Sequence, residues 1–203
     1  MKNYRSVGQR CAVDLDYLAG SRKKELVIDR LEQLGFEILR LDVAEVAARL
    51  VGKAYYAVGS ELRNAPNAFD CSSFVKWCFG QVGIWLPRRA VQQKAFAEDV
   101  SGAQAIPGDL IFTSGNGNYY NQDPASKVGH VGLFTKRLTV IHASQKHQGI
   151  VESSLPEFLL SGEPRGLGRI VPAGSDIVTL IVPNRHEIES DDDIKWLLKT
   201  GPL

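Results

Sequence analysis

The chain has 203 residues, with 24 Lys and Arg against 23 Asp and Glu and a formal net charge of +1. That length makes one or at most two domains and buries a core without help from disulfides. The balanced charge offers no field to collect nucleic acid or an anionic membrane surface, so neither is expected as a partner. No run of about 18 apolar residues occurs, which excludes a spanning helix. The opening Met1-Lys2-Asn3-Tyr4-Arg5-Ser6-Val7-Gly8-Gln9-Arg10 lacks the apolar stretch of a signal peptide, which argues for a cytoplasmic protein or for export by another route.

Residues 1–20 carry no strong period and read as irregular. From Ser21, Leu26, Val27, Leu31 and Leu34 recur at helical spacing until Gly35 stops the run. A short alternation over 36–41 follows, and Asp42 with Glu45 forms a capping box ahead of Val43, Val46, Ala47 and Leu50. This divides the chain into a helical N-terminal extension over 1–42, a main domain over 43–183 and a C-terminal tail over 184–203.

The stretch from Ala68 to Leu86 organises the rest. Phe74, Val75, Cys78, Phe79 and Val82 have helical spacing, and Asp70 is a favoured N-cap, so a helix is predicted to begin at Cys71. Unpaired N–H groups and the positive end of the helix dipole then face the Cys71 thiol and favour the thiolate, the nucleophilic form. The opposing reading is that Cys71 is a small buried apolar residue, and position alone leaves both open. The cysteines Cys11, Cys71 and Cys78 make no even disulfide framework. On one helix Cys71 and Cys78 lie about 10 Å apart, beyond bridging distance. Cys78 reads as core and Cys11 as incidental. Without Cys-x-x-Cys or His-Glu-x-x-His, neither a metal nor another cofactor is expected.

Beyond a turn at Leu86-Pro87-Arg88, Ala90–Ala97 reads as a short helix and Leu110-Ile111-Phe112 as a buried strand. Residues 113–129 have loop chemistry, and a loop of that length suggests a lid or cleft wall. His130–Phe134, Thr139–Ser144 and Gly149–Ser153 read as an antiparallel meander, with a further β-branched run at Ile177–Val182 after a Gly- and Pro-punctuated stretch over 162–174. The tail reads as an acidic solvated run, Glu187 to Asp193, followed by Ile194, Trp196, Leu197 and Leu198 docking back on the body. A hairpin with its tip near Lys136 sets His130 opposite His142, close enough for the imidazoles to bond, one as base toward Cys71 and the other fixing its tautomer. A one-residue slip would turn one ring to the other face. His147 and His186 read as surface residues.

Phe69-Asp70-Cys71-Ser72-Ser73-Phe74-Val75, Leu86-Pro87-Arg88 with Gln92, Pro107-Gly108-Asp109-Leu110-Ile111-Phe112, His130-Val131-Gly132-Leu133-Phe134 and Ile141-His142-Ala143 together resemble the NlpC/P60 family of cysteine peptidases. Upstream, Gly52-Lys53-Ala54-Tyr55 is similar to that family's Gly-x-Pro-Tyr, and the resemblance covers about residues 43–160. It implies a papain-like α+β fold with the Cys helix packed on an antiparallel sheet that bears the histidines. It also implies Cys71 as nucleophile, His130 as base and then acid, and His142 as the group orienting His130, with the Cys71 N–H in an oxyanion hole. Tyr55, Asp70 and Ser72 would bind the amino end of a peptide. The implied substrate is a murein-derived peptide cut between D-γ-glutamyl and a diamino acid. An amidase or acyltransferase on the same triad, and a non-catalytic peptide-binding module, are the alternative readings, and the oligomeric state is not legible. Ser73 stands where the family has Gly, and is expected to narrow the space beside the cleft; Ala54 replaces the family's Pro.

Overall fold

The computed structural model describes residues 4–115 and 127–200, so most of the loop expected over 113–129 lies outside the described residues. Contacts divide the chain into two units, one of Met1–Asp42, Phe79–Trp85 and Ala173–Leu203, the other of Val43–Cys78 and Leu86–Pro172. The end of the main domain, expected after residue 183, thus falls before Ala173. Strand pairing is the reason. Among the described residues, Ile177–Ile181 is the middle strand of a three-stranded antiparallel sheet, between Arg10–Asp14 and Glu37–Leu39.

The first unit is therefore mixed rather than helical. Residues expected to be irregular contain the strand Arg10–Asp14 and the short helix Leu15–Ala19, whose cap Asp14 accepts the Asp16 N–H at 2.9 Å. Cys11, Ala12 and Val13 are all fully buried, so this strand shows no polar alternation for a sequence pattern to reveal. Cys11 belongs to the core of the unit, with Leu15, Leu31, Phe36, Val178 and Leu180. The Lys24–Gln33 helix turns Val27 and Leu31 into that core, and Gly35 follows with φ of 84°, a conformation that suits glycine. The Asp191–Thr200 helix docks through Ile194 and Leu198 and leaves Trp196 63 % exposed. Asp191, read as part of a solvated acidic run, is instead buried and accepts the Tyr4 N–H at 3.1 Å.

The second unit is built on an eight-stranded sheet among the described residues, in the order Ala68–Phe69, Tyr55–Tyr56, Gly149–Ser154, Thr139–Ser144, His130–Phe134, Leu110–Thr113, Pro164–Arg169, Glu98–Val100. Every neighbouring pair is antiparallel except the first. The meander expected from 130 to 153 forms its centre. The punctuated 162–174 stretch contributes the Pro164–Arg169 strand, irregularly paired between Pro164 and Leu167, a position that tolerates a residue without an N–H. The helices Cys71–Gln81 and Ala90–Phe96 form where expected. Phe74, Val75 and Cys78 are buried on the first of these, Cys78 completely, as its core reading requires.

Candidate active site

The site begins with a helix start that is fixed by its own side chains. Asp70 Oδ1 accepts the Ser73 N–H at 2.8 Å, while Ser73 Oγ accepts the Asp70 N–H at 2.9 Å. This reciprocal box caps the Cys71–Gln81 helix one residue before the thiol. Ser73 is fully buried and serves the cap, so it does not narrow the cleft. Arg88 completes the clamp. Its guanidinium donates to both Asp70 carboxylate oxygens, to Ser72 Oγ at 2.9 Å and to the Ser60 carbonyl at 2.5 Å. Arg88 belongs to a motif visible in the sequence, yet only its fold partners reveal that it ties down the residues on either side of Cys71.

The histidines come from adjacent strands, and their rings meet. His130 Nε2 lies 3.0 Å from His142 Nδ1, with the ring planes at 82°. The register is not the expected one: Leu133 pairs with Ile141 and Phe134 with Val140. Continued, it sets Gly132, not His130, opposite His142. The slip is two residues, and an even slip keeps both rings on one face. Leu138, at φ of 58°, lets the turn centre one residue later than expected. Gly132 has no side chain between the imidazoles, so they bond diagonally. Phe158, on the Leu155–Leu159 helix, stacks on His130 at 5.3 Å and meets His142 edge-on at 5.0 Å. Nothing in the local sequence marked Phe158 as the wall behind both rings.

Cys71, His130 and His142 line one cavity of about 240 Å³, with Tyr56, Ser144, Lys146, His147, Ser153 and Glu157 among the other lining residues. The Cys71 sulfur lies 4.0 Å from the Gly129 carbonyl oxygen. Tyr55, expected in the cleft, is 63 % exposed and absent from the lining; its neighbour Tyr56 takes that place. Alternation along the Tyr55–Tyr56 strand sends the two rings to opposite faces, and the one on the cavity side is Tyr56. Asp70 and Ser72 are buried in the Arg88 clamp and are also absent from the lining. His147 is a cavity residue rather than a plain surface one, its Nε2 3.3 Å from Glu157 Oε1. His186 stacks on Phe36 at 5.5 Å in the first unit and takes no part.

Burial governs the electrostatics. It pushes the Cys71 thiol up to about 12, helped by the Asp70 carboxylate and opposed by the Val131 and Ser72 N–H groups and by Arg88. The helix start therefore does not by itself yield a thiolate, because desolvation outweighs the dipole. Burial also lowers His130 to about 4 and His142 to about 3, the proximity of His130 adding to the latter. Both directions of shift favour the neutral thiol and the neutral imidazoles in this cavity. In the unfolded chain these rings take protons near pH 6.5. Between about pH 6.5 and 4 the unfolded state therefore binds more protons, so stability is complete above that window and falls as pH drops through it. Urea midpoints measured from pH 7 to pH 4 are expected to fall more steeply for the wild type than for His142→Gln; parallel lines would refute this.

The helix-start cysteine, the sheet-borne histidines and the mixed sheet define an α+β domain of the papain-like type. NlpC1 of Trichomonas vaginalis has the same fold, with a TM-score of 0.53 at 20 % identity over 63 % of this chain and 42 % of that one. So does a lipoprotein-like NLP/P60 protein of Staphylococcus aureus Mu50, with a TM-score of 0.52 at 25 % identity over 64 % of this chain and 40 % of that one. The NlpC/P60 family model matches residues 52–161, and the chain belongs to that family. It is 35 % identical to the probable endopeptidase p60 of Listeria innocua over 127 residues, 61 % of this chain and 23 % of that protein. It is 29 % identical to the gamma-DL-glutamyl hydrolase of Bacillus subtilis over 142 residues, 68 % of this chain and 32 % of that protein. The chain thus spans between a fifth and a third of the length of these two curated relatives.

Proposed function

We propose that this chain is a thiol peptidase that hydrolyses murein-derived peptides, at the bond between D-γ-glutamyl and a diamino acid, through an acyl-enzyme on Cys71. The observation that carries this reading is the bond between His130 Nε2 and His142 Nδ1, which leaves His130 Nδ1 available to a thiol in the same cavity. The name of the Listeria relative, an endopeptidase, supports peptide hydrolysis, and that of the Bacillus relative, a gamma-DL-glutamyl hydrolase, supports a γ-glutamyl bond.

In this mechanism His130 Nδ1 takes the Cys71 proton as sulfur attacks the amide carbonyl carbon, forming the C–S bond. Burial disfavours either charge alone, but thiolate and imidazolium arise together and stabilise each other. The Cys71 N–H, in the first turn of the helix and so without an intrahelical partner, donates to the developing oxyanion. His130 then returns the proton to the amine as the C–N bond breaks. Water attacks the thioester carbonyl, giving one proton to His130 and releasing the acid, and the thiol is restored. Asp70 and Ser72, held by Arg88, set the position of Cys71, while Tyr56 and Lys146 are the polar walls that meet substrate.

Mass spectrometry of products from a defined muropeptide, the free tripeptide and intact sacculi tests the reading. Cleavage on the carboxyl side of γ-glutamyl is expected in at least one of them. Release at another bond would overturn the assigned specificity, and transfer to an added amine in preference to water would make the protein an acyltransferase.

A further inference from the structure

Behind the two histidines lies a third polar group that the mechanism above leaves unused. In the Gly149–Ser154 strand, Val151 is the direct partner of His142, and Ser153 follows two residues later on the same face. Its Oγ stands 3.2 Å from His142 Nε2, and the residue is 3 % exposed. In the sequence Ser153 stands at the end of a strand-like run, with no motif to mark it.

A neutral imidazole has one N–H and one lone pair, so the row His130, His142, Ser153 admits two proton patterns. In one, His142 donates its Nε2–H to Ser153 Oγ, His142 Nδ1 accepts the His130 Nε2–H, and His130 Nδ1 keeps a lone pair for the thiol proton. In the other, Ser153 donates to His142 Nε2, His142 donates Nδ1–H to His130, and His130 Nδ1 carries hydrogen and cannot act as a base. Once His130 is an imidazolium, both its nitrogens carry hydrogen and only the first pattern remains. His142 Nε2–H must then find an acceptor inside the protein, and Ser153 Oγ is within hydrogen-bond distance of it.

We propose that Ser153 is a positioning residue of this site, which holds His142 as the Nε2–H tautomer and so keeps His130 Nδ1 free for Cys71. This rests on the hydrolase reading above. Without the oxygen, the productive pattern strands a buried N–H, whereas the unproductive one strands only a lone pair, the cheaper defect. The balance thus moves away from the competent base. Among the described residues, the ionisable groups facing His142 are His130 from the neighbouring strand, His147 from the turn after its own strand and Glu157 from the Leu155–Leu159 helix, with Cys71 and Lys146 in the same cavity.

The test combines kinetics on the muropeptide with ¹⁵N NMR of histidine-labelled protein. Ser153→Ala is expected to lower kcat about 10-fold with KM unchanged, and Ser153→Thr, which keeps the oxygen, to restore it to within about twofold. In the wild type His130 Nδ1 and His142 Nδ1 give unprotonated signals and His142 Nε2 a protonated one; in Ser153→Ala the His142 proton moves to Nδ1. An unchanged kcat or an unchanged ¹⁵N pattern in Ser153→Ala overturns the proposal, as does a Ser153→Thr enzyme as slow as Ser153→Ala. The NMR needs no turnover. Absence of hydrolysis in the wild type would therefore refute the hydrolase reading, while the nitrogen signals still decide the tautomer.

Discussion

Cys71→Ala is expected to abolish hydrolysis, lowering kcat/KM on the order of 10⁴-fold or more, because it removes the atom that forms the acyl-enzyme. The fold is expected to survive. Cys71 is 9 % exposed, and losing one heavy atom from such a site costs about 1 kcal/mol. The cap that starts the helix is made by Asp70, Ser73 and Arg88, none of which is altered. His130→Gln is the companion variant: it removes the base but keeps a planar group against Phe158, so a similar loss of rate with a native-like urea transition separates chemistry from packing. Cys78→Ala gives the contrast. Cys78 is fully buried and burial drives its pKa far up, so the variant loses stability without loss of the catalytic step. Steady-state rates and urea unfolding on the three variants check this; a Cys71→Ala protein with full activity would sink the mechanism.

Gly132→Ala is expected to carry a large structural cost for a single added methyl. A Cβ there would stand 2.3 Å from Val140 Cγ1, 2.8 Å from Phe158 Cε2 and 3.3 Å from His142 Cβ. Val140 is fully buried and β-branched, so it has little rotamer freedom with which to yield. Removing a glycine's excess chain freedom gains about 0.5–1 kcal/mol, whereas overpacking costs about 1–3 kcal/mol or more. The second effect wins, and a net loss of about 2 kcal/mol is expected in urea unfolding. The displaced groups are the wall behind the histidines and His142 itself. Since a misplacement of about 1 Å costs roughly 10²-fold, activity is expected to fall by that order even where the variant remains folded. Wild-type stability together with wild-type rates would show that the gap opposite His142 has no function.

The local elements of this protein are legible where one residue type forces one conformation. The start of the helix at Cys71 follows from Asp70 followed by an apolar period, the strands at 110–113, 130–134 and 139–144 from short apolar runs, and the stop at Gly35 from a positive φ. The motif set also named the family. Elements failed to show where burial erased the pattern, as in Arg10–Asp14, or where polar composition hid a strand, as in Pro164–Arg169.

Register, partners and charge state are another matter. A strand's residues set its two faces but not which residue of a distant segment lies opposite, so the histidine pairing was two residues off while the shared face was right. Ile177–Ile181 is assigned to the sheet of the first unit by pairing with residues from 163 positions earlier in the chain, for Asp14↔Ile177, to 171, for Arg10↔Ile181, a separation no local period encodes. The Cys71 thiol shows the same division. The sequence alone determined that it begins a helix, which favours the thiolate; only the tertiary structure decided that it is desolvated beside Asp70, and desolvation acts on the full charge whereas the helix end contributes partial ones.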